Sequence, residues 1–439
     1  MAVPSVDDFD FIQLVIHDVH GLPRGRMMAK RRMASIIQDG LGIYGGVCFR
    51  GIRGELSAHS DFCEKSSYGN KLLKPILSTL KPCPQLGLGK FKTGQVLCRL
   101  EELDGTLDTS TPRTAAEIQI DRLQNELGLT VKSAFELEFS IRETQSKQYY
   151  GHVVNGAATN VIESCQDLLF DIVHELGERG VPIDSFQTEQ GPGQYEMTLD
   201  IAEGIQSADN TIEFKNAVKT FTKSKGYDTT FMTRIDPTLE GSNALHWNHS
   251  LWDERGINAF LDESRPNKLS ELGCQWLAGL IAHAPAMAAF CVPTVNCYRN
   301  IGQICAPLFA NWSRDGRLAS YRLKVEGADN IYIENRLPTG AGNPYLILAC
   351  SLAAGIDGVK RKLPLTEALN KKCSLPTNLE SALQALESDT VLAEAMGNTL
   401  VEKFIHCKRT LELQEFAAFG DLSDDELLQK EHEYYFDNA

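Results

Sequence analysis

The sequence predicts an α+β fold, and two patterns support this assignment. Beyond residue 113, short runs with apolar residues at alternate positions are interspersed with longer segments whose apolar residues recur every three or four positions. The strand-like runs are joined by tight, glycine-rich turns, as in antiparallel hairpins. An α/β arrangement is the alternative, but hairpins are not typical of the regular strand–helix–strand order of a Rossmann sheet.

The first 105 residues are predicted to form a separate N-terminal domain. Strand-like runs at residues 11–19 and 95–100 lie among loops rich in glycine, lysine and serine. Residues 104–113, DGTLDTSTPR, are polar and rich in turn-forming residues, and Pro112 suits the first position of a helix. The sequence therefore predicts one domain over residues 1–105 and a second over residues 106–439.

The second domain is predicted to contain both strands and helices. Predicted strands cover residues 131–141, 181–189 and 194–201, and predicted helices cover residues 115–128, 160–180, 207–226 and 343–363. Gly128 is expected to end the first of these helices, and Ser207 or Asp209 is a candidate cap for the third. From residue 374 onward, short amphipathic helices are expected.

Charge and cysteine content argue against several classes of partner. The formal net charge is −15, which disfavours nucleic acid and anionic membranes because both attract basic surfaces. The 12 cysteines are scattered without a Cys-x-x-Cys pair, as expected for reduced thiols in a cytoplasmic protein. The N-terminal residues lack the features of a signal peptide, and His283 and Pro285 interrupt the longest apolar run, so no membrane span is expected.

Two predicted strands carry glutamates on the face opposite their apolar residues. In the run VKSAFELEFSI, Glu136 and Glu138 share a face because alternate side chains of a strand point the same way. In TEQGPGQYEM, residues 188–197, a Gly-Pro-Gly turn separates Glu189 from Glu196. Like charges brought together in this way are unfavourable unless a positive group compensates them.

Two further strand-like runs continue the pattern. His246, Asn248 and Ser250 share a face in SNALHWNHSLW, and Glu334 and Arg336 share a face in NIYIENRLP. Several carboxylates with one imidazole suit Mg²⁺ or Mn²⁺. The arginines in the same half of the chain are Arg299, Arg317, Arg322 and Arg336. Metal ions beside several arginines are what phosphoryl transfer needs, because both stabilise charge on the transferring phosphate.

Each of these features also has an ordinary structural explanation. Glutamates two positions apart on a strand usually face solvent, and an isolated histidine is more often hydrogen-bonded than bound to a metal. Glu334 beside Arg336 is more often a simple ion pair. The recurrence of acids on strand after strand favours a functional site, but spacing alone leaves both explanations open.

Six ordered motifs resemble those of class I glutamine synthetases. They are FELEF, TEQGPGQYE, GSNALHWNHSLWD, PTVNCYR, NWSRDGRLASYR and IENRLPTGAGNPYL, and the resemblance covers residues 10–410. It implies an N-terminal β-grasp domain followed by a catalytic half-barrel. It also implies ATP as a substrate, Mg²⁺ or Mn²⁺ as the metal, and a homo-oligomer of stacked rings with active sites between adjacent subunits.

The resemblance implies a role for each matching residue. The implied metal ligands are Glu138, Glu189 and Glu196 for one ion and Glu136, His246 and Glu334 for a second. The implied phosphate-binding catalytic pair is Arg317 and Arg322, and the implied glutamate-carboxylate pair is Arg299 and Arg336. Ser250 and Asn248 fall on the strand that lies near the nucleotide. In the implied reaction, glutamate attacks the γ-phosphate of ATP, and an amine then displaces phosphate from γ-glutamyl phosphate.

The sequence departs from the family pattern around the site for ammonium. The flap segment GQICAP carries Cys305 where the family has a glutamate, and GGVCFRGIRGEL lacks the aspartate that helps to deprotonate ammonium. The stretch before the metal-binding histidine reads GSNAL, and Tyr332 takes the place of a basic residue near the nucleotide. The sequence offers no obvious general base for the amine.

Two groups of relatives resemble this pattern. γ-Glutamylputrescine synthetases, which use a larger amine, have a similar arginine motif, and GVCFRG, NHSLWD and SADN resemble lengsin, a lens protein without synthetase activity. Vertebrate lengsins lack several metal ligands, whereas this chain keeps all six. We therefore expect a ligase that joins the γ-carboxylate of glutamate to an amine other than free ammonia. The alternatives are a non-catalytic, lengsin-like assembly protein and a glutamine synthetase.

Overall fold

The N-terminal part of the chain forms a mixed sheet. The computed structural model describes residues 4–56, 64, 67–84, 89–151, 156–235, 241–303, 305–327, 330–420 and 422–439. The strands of the first sheet are β1 (Phe11–His17), β2 (Pro23–Ala29), β3 (Leu41–Tyr44), β4 (Asn70–Pro75), β5 (Lys81–Pro82) and β6 (Thr93–Glu101). Their order is β2-β1-β6-β4-β3, with β5 also on β6, and the central pair β1–β6 is parallel. Helix α1 (Met33–Asp39) buries Met33 and Ile36.

The second sheet is larger and is almost entirely antiparallel. Its strands are β7 (Thr130–Glu143), β8 (Ile183–Thr188), β9 (Gln194–Leu199), β10 (Ala202–Glu203), β11 (Tyr227–Thr230), β12 (Leu245–Trp252), β13 (Trp312–Arg314), β14 (Tyr321–Glu326) and β15 (Asn330–Asn335). The order is β13-β14-β15-β12-β7-β9-β8, and β10 and β11 also pair with β7. Only β13–β14 is parallel among the described pairs. The two sheets with their helices confirm the predicted α+β class.

Helices surround the second sheet. They are α2 (Pro112–Leu127), α3 (Thr159–Glu178), α4 (Gln206–Ser224), α5 (Glu271–Cys291), α6 (Pro344–Lys360), α7 (Leu379–Ser388), α8 (Thr390–Met396), α9 (Asn398–Cys407), α10 (Gln414–Ala417) and α11 (Asp424–Tyr435). Pro112 begins α2, and Gly128 ends it with φ of 69°, as predicted. The boundary between residues 105 and 106 stays a prediction, although β6 ends at Glu101 and β7 begins at Thr130.

The predicted cap of α4 is wrong. The helix begins at Gln206, one turn earlier than Asp209 would require, and no side chain caps it. Asp209 lies inside the helix, where it accepts two hydrogen bonds of 2.9 Å from Arg113 and one of 2.7 Å from the Tyr345 hydroxyl. Ser207 shares a hydroxyl hydrogen bond of 2.7 Å with Ser133 of β7. Both side chains therefore form hydrogen bonds with residues of other elements instead of capping the helix.

α5 is a core helix, although its length and hydropathy would suit a membrane span. In its most apolar 18-residue window, 78% of the residues are buried inside the protein. His283 interrupts this run but is not free: its Nδ1 lies 2.6 Å from Asp389 and its Nε2 lies 3.0 Å from Asp357. The cysteines of the described chain are all free thiols, and Cys305 is exposed whereas most of the others are buried.

Candidate active site

Neighbouring strands bring the predicted metal ligands to one face of the second sheet. Glu136 and Glu138 occupy alternate positions of β7, so their side chains leave the same face. In the strand register, Glu136 lies opposite His246 of β12 and Glu138 lies opposite Glu196 of β9. The sheet thus juxtaposes Glu136 and His246, which are 110 positions apart in the chain.

Glu136, His246 and Glu334 have the geometry of a cation site. Their ligand atoms all lie within 4.8 Å of one another. His246 Nδ1 is 3.4 Å from Glu136 Oε2 and 3.7 Å from Glu334 Oε1. Two carboxylates and one imidazole in so small a space fit a divalent cation such as Mg²⁺ or Mn²⁺. Their assignment as metal ligands remains a prediction.

The Gly-Pro-Gly turn between β8 and β9 brings Glu189 close to Glu196. Gln187 Nε2 donates to Glu189 Oε1 at 2.8 Å and to Glu196 Oε1 at 3.4 Å, so one amide group contacts both carboxylates. Gly193 has φ of 56°, and a Cβ there would lie 2.5 Å from the Ile141 carbonyl oxygen. The turn therefore requires glycine at this position.

Gln194 connects this turn to Glu138. Its Oε1 accepts a 2.6 Å bond from the Gly191 N–H, and its Nε2 donates to Glu138 Oε2 at 3.1 Å and to Asn243 Oδ1 at 3.0 Å. The backbone N–H of Ala244 donates to the same Glu138 oxygen at 3.1 Å. Both donors are neutral, so they orient the carboxylate without cancelling its charge.

The acid cluster is electrostatically unfavourable as it stands. Burial, and repulsion from Glu189 and Glu196, raise the pKa of Glu138 well above its usual value. Burial, followed by repulsion from Glu136, Glu189 and Glu334, raises the pKa of Glu196 to about 8. Burial also acts to raise the pKa of Glu136, but the hydrogen bond and charge of His246 lower it to about 2. A bound cation would relieve the repulsion around Glu138 and Glu196.

Two of the predicted arginines contact the cluster. Arg322 Nη1 donates to Glu334 Oε2 at 3.0 Å, and Arg336 Nη1 donates to Glu334 Oε1. Arg336 Nη2 donates to the carbonyl oxygen of Cys305 at 3.2 Å, so the predicted flap contacts the Arg336 guanidinium group. The Nε of Arg336 is buried without a hydrogen-bond partner among the described residues, which leaves a donor for a ligand. Arg317 is exposed, and its charge acts on Glu196.

In the structure, Arg299 forms ion pairs with acidic residues that are not among the predicted site residues. Its Nε donates to Glu431 at 2.7 Å and its Nη1 donates to Asp424 at 2.8 Å, both on α11. Glu431 is 1% exposed and also accepts a bond from Asn296, so this pair helps to anchor α11. The proposed contact between Arg299 and the substrate carboxylate therefore stays a prediction that requires this ion pair to open.

The predicted nucleotide-side residues lie along β12. Asn248 lies opposite Glu334 of β15, and its Nδ2 donates to Glu136 Oε1 at 2.9 Å. Ser250 is buried and accepts a 2.9 Å bond from the Trp252 indole. Sequence reasoning missed the amides of Gln187 and Gln194, although both lie within two residues of a predicted ligand. Neutral residues beside acids carry little signal until hydrogen-bond partners are known.

The arrangement can hold cations and stabilise a negatively charged ligand. Glutamates and one histidine form the cation-binding face, and arginines flank it. Such sites bind phosphate chains through metal ions and guanidinium groups.

Comparison with known proteins gives relatives of several kinds. The chain is 31% identical over 358 residues to "Glutamine synthetase" of Methanocaldococcus jannaschii, covering 77% of this chain and 78% of that protein. It is 31% identical over 309 residues to "Glutamate--isopropylamine ligase" of Pseudomonas sp, covering 68% and 66%. It is 28% identical over 418 residues to "Lengsin" of Canis lupus familiaris, covering 91% and 70%.

The fold and the family description agree with these relatives. A solved structure described as "Crystal structure of novel glutamine synthase homolog" superposes with a TM-score of 0.85 at 25% identity, covering 99% of this chain and 100% of that chain. The family description "Glutamine synthetase, catalytic domain" matches residues 109–426. Glutamine synthetase-type ligases of this family use ATP and divalent metals, and the family is generally oligomeric. The predicted resemblance is therefore confirmed, and the chain belongs to the glutamine synthetase catalytic-domain family.

Proposed function

We propose that this protein is an ATP- and metal-dependent ligase that joins the γ-carboxylate of glutamate, or of a close analogue, to an amine. The observation that carries the proposal is the convergence of Glu136, His246 and Glu334, whose ligand atoms all lie within 4.8 Å of one another. Beside them lie Glu138 and Glu196, whose pKa values are raised by burial and by neighbouring carboxylates. Clustered, buried carboxylates destabilise a fold unless they bind a cation, so their retention favours a working site.

The predicted site residues would have the following roles. Glu138, Glu189 and Glu196 would hold one cation, and Glu136, His246 and Glu334 a second. Arg317 and Arg322 would bind the phosphates of ATP, and Arg336 would bind the substrate carboxylate through its unpaired Nε. When bound, the cations would neutralise charge on the transferring phosphate. The glutamate carboxylate would attack the γ-phosphorus with ADP as leaving group, and the amine would then displace phosphate.

We propose further that the acceptor is an organic amine rather than ammonia. The flap carries Cys305, which is exposed, where an acid would favour ammonium. Without that acid, the flap segment GQICAP offers ammonium neither a charge partner nor a base. A relative whose name is glutamate–isopropylamine ligase supports this choice.

The test is ADP release by the purified protein with glutamate, Mg²⁺ or Mn²⁺, and a panel of amines that includes ammonia. We expect ADP release that depends on one organic amine and is lost in Glu138→Gln. Glu117→Gln is the matched control, because Glu117 of α2 is a partly buried glutamate that pairs with Arg113 of the same helix and with Arg99 of β6. Ammonia as the best acceptor would contradict the organic-amine proposal and favour a glutamine synthetase.

A non-catalytic assembly protein is the second candidate, and one contact favours it. Arg299, the predicted carboxylate-binding residue, is held by Glu431 and Asp424 in a structural role. The similarity to lengsin is consistent with this alternative. Absence of turnover with every amine, together with absence of ATP binding, would favour the assembly protein over the ligase.

A further inference from the structure

Lys324 lies beside the acid cluster, and none of the roles above uses it. It follows Arg322 by two positions on β14, so the two side chains leave the same face of the strand. The register pairs Arg322 with Glu334 and Lys324 with Tyr332 on β15. Lys324 is therefore the next cation along the face that carries the predicted site.

The ammonium group of Lys324 has one ion-pair contact within the described chain, and it is a long one. Its nearest carboxylate is Glu326, at 3.8 Å, and that side chain is 55% exposed. The same Glu326 oxygen accepts a shorter bond, 2.6 Å, from the Tyr332 hydroxyl. Arg322, by contrast, already donates to Glu334 at 3.0 Å. Lys324 can therefore pair with an incoming anion, whereas Arg322 is already paired with Glu334.

Tyr332 holds the lysine side chain in place. Lys324 Nζ lies 5.0 Å from the centroid of the Tyr332 ring, within the range of a cation–π contact. The lysine side chain is 19% exposed, so most of it is packed against the protein while a part stays open to solvent. Its charge also acts on Glu136, one of the predicted metal ligands. The lysine is thus both oriented and close to the cluster.

We propose that Lys324 is a binding residue for the phosphate chain of the nucleotide. This inference rests on the proposed function, because it needs ATP as a substrate. The amine acceptor is a poor candidate ligand, since two cations repel each other. A polyphosphate suits the position, because it carries several negative charges and would lie across Arg322 and Lys324 together.

The test measures nucleotide affinity of the full chain by calorimetry in the presence of Mg²⁺, with ATP, ADP and adenosine as separate ligands. We expect Lys324→Met to weaken ATP and ADP binding by about ten-fold or more, because a charge-assisted bond is lost. Adenosine binding should not change. Lys324→Arg should keep affinity for ATP within about three-fold of the wild type, since it keeps the charge.

The matched control is Lys225→Met. Lys225 also has its ammonium over an aromatic ring, 5.2 Å from the centroid of Phe221, and it pairs with Asp171 at 3.1 Å. It lies just past the C-terminal end of α4, outside the residues assigned to the site. We expect this variant to bind ATP as the wild type does. Lys324→Gln, which keeps a polar side chain, replaces Lys324→Met if the latter does not fold.

The outcomes separate this inference from the proposed function. If the wild type binds ATP and Lys324→Met binds it within about two-fold of the wild type, only the role of Lys324 is overturned. An equal loss of adenosine binding, or a loss confined to glutamate binding, overturns that role as well. If the wild type binds no nucleotide, the proposed ligase function fails and the phosphate role fails with it.

Discussion

Glu196→Gln should stabilise the metal-free protein and should remove most of its affinity for divalent cations. Burial and the repulsion from neighbouring glutamates raise the pKa of Glu196 from 4.5 to about 8. At neutral pH the unfolded protein has this carboxyl ionised, whereas the folded protein without a cation must protonate it. Folding is therefore opposed by a protonation step that glutamine would not need.

The magnitude follows from the two pKa values. Between a pKa of 4.5 in the unfolded chain and neutral pH, each pH unit corresponds to about 1.4 kcal/mol, which gives a cost of about 3 kcal/mol at neutral pH. The side chain is only partly buried, so solvent reduces this cost. We expect Glu196→Gln to raise the free energy of unfolding by about 1–2 kcal/mol in EDTA.

The sign of the pH dependence is the opposite of that for an ordinary ion-paired glutamate. Because the folded pKa is raised, the cost of Glu196 is absent below pH 4.5, grows as the pH rises, and is constant above about pH 8. The stability advantage of Glu196→Gln should therefore increase over the same window. Saturating Mn²⁺ should reverse the order, since only the wild type keeps all of its ligands.

Glu213→Gln is the matched control, because Glu213 is buried but lies beside Arg179 and Lys81. Burial acts to raise its pKa, but these two cations outweigh burial and lower it to about 2. The same substitution should therefore destabilise the protein above pH 4.5. Thermal unfolding in EDTA compares the two variants, and Mn²⁺ titration followed by electron paramagnetic resonance gives the metal affinity. A less stable Glu196→Gln protein in EDTA, or one with unchanged Mn²⁺ affinity, would refute the reasoning.

Three further predictions concern the support of the site and the core. Gln194→Met should weaken Mn²⁺ binding by about 10- to 100-fold, because Glu138 loses an orienting donor; Gln95→Met, which removes a buried amide from a carboxylate elsewhere, should leave Mn²⁺ affinity unchanged in the same titration. Gly193→Ala should lower the free energy of unfolding in urea by about 2–4 kcal/mol, because φ is 56° and a Cβ would meet a backbone oxygen. Gly256→Ala, at φ of 75° with no atom within 4 Å, should lower it by only about 1 kcal/mol. Equal losses would contradict the role of close packing. Burial lowers the pKa of His283, but hydrogen bonds to two aspartates outweigh burial and raise it above 6.5, so its stabilising contribution is complete below that pH and is lost as the pH rises through the folded-state pKa. His283→Gln should therefore lose more thermal stability at about pH 6 than at about pH 9, and an equal loss at both would contradict the charge assignment.

Local features of the chain were predictable from the sequence because they depend on nearest neighbours. Alternation along β7 placed Glu136 and Glu138 on one face, since the pleat of a strand alone decides this. Pro112 and Gly128 bounded α2, because backbone dihedrals restrict these residues. The ordered motifs were enough to predict the family.

Only the tertiary structure decided which side chains meet. The lateral register of β7 with β9 and β12 depends on pairings between distant strands, and alternation along one strand cannot specify them. For the same reason, Arg299 was expected at the substrate but contacts Glu431, 132 positions away. Lys324 could not be identified as a candidate from the sequence, because it lies opposite Tyr332 only after β14 and β15 pair. Residue spacing determines the direction of a side chain, whereas its partners are determined by long-range packing.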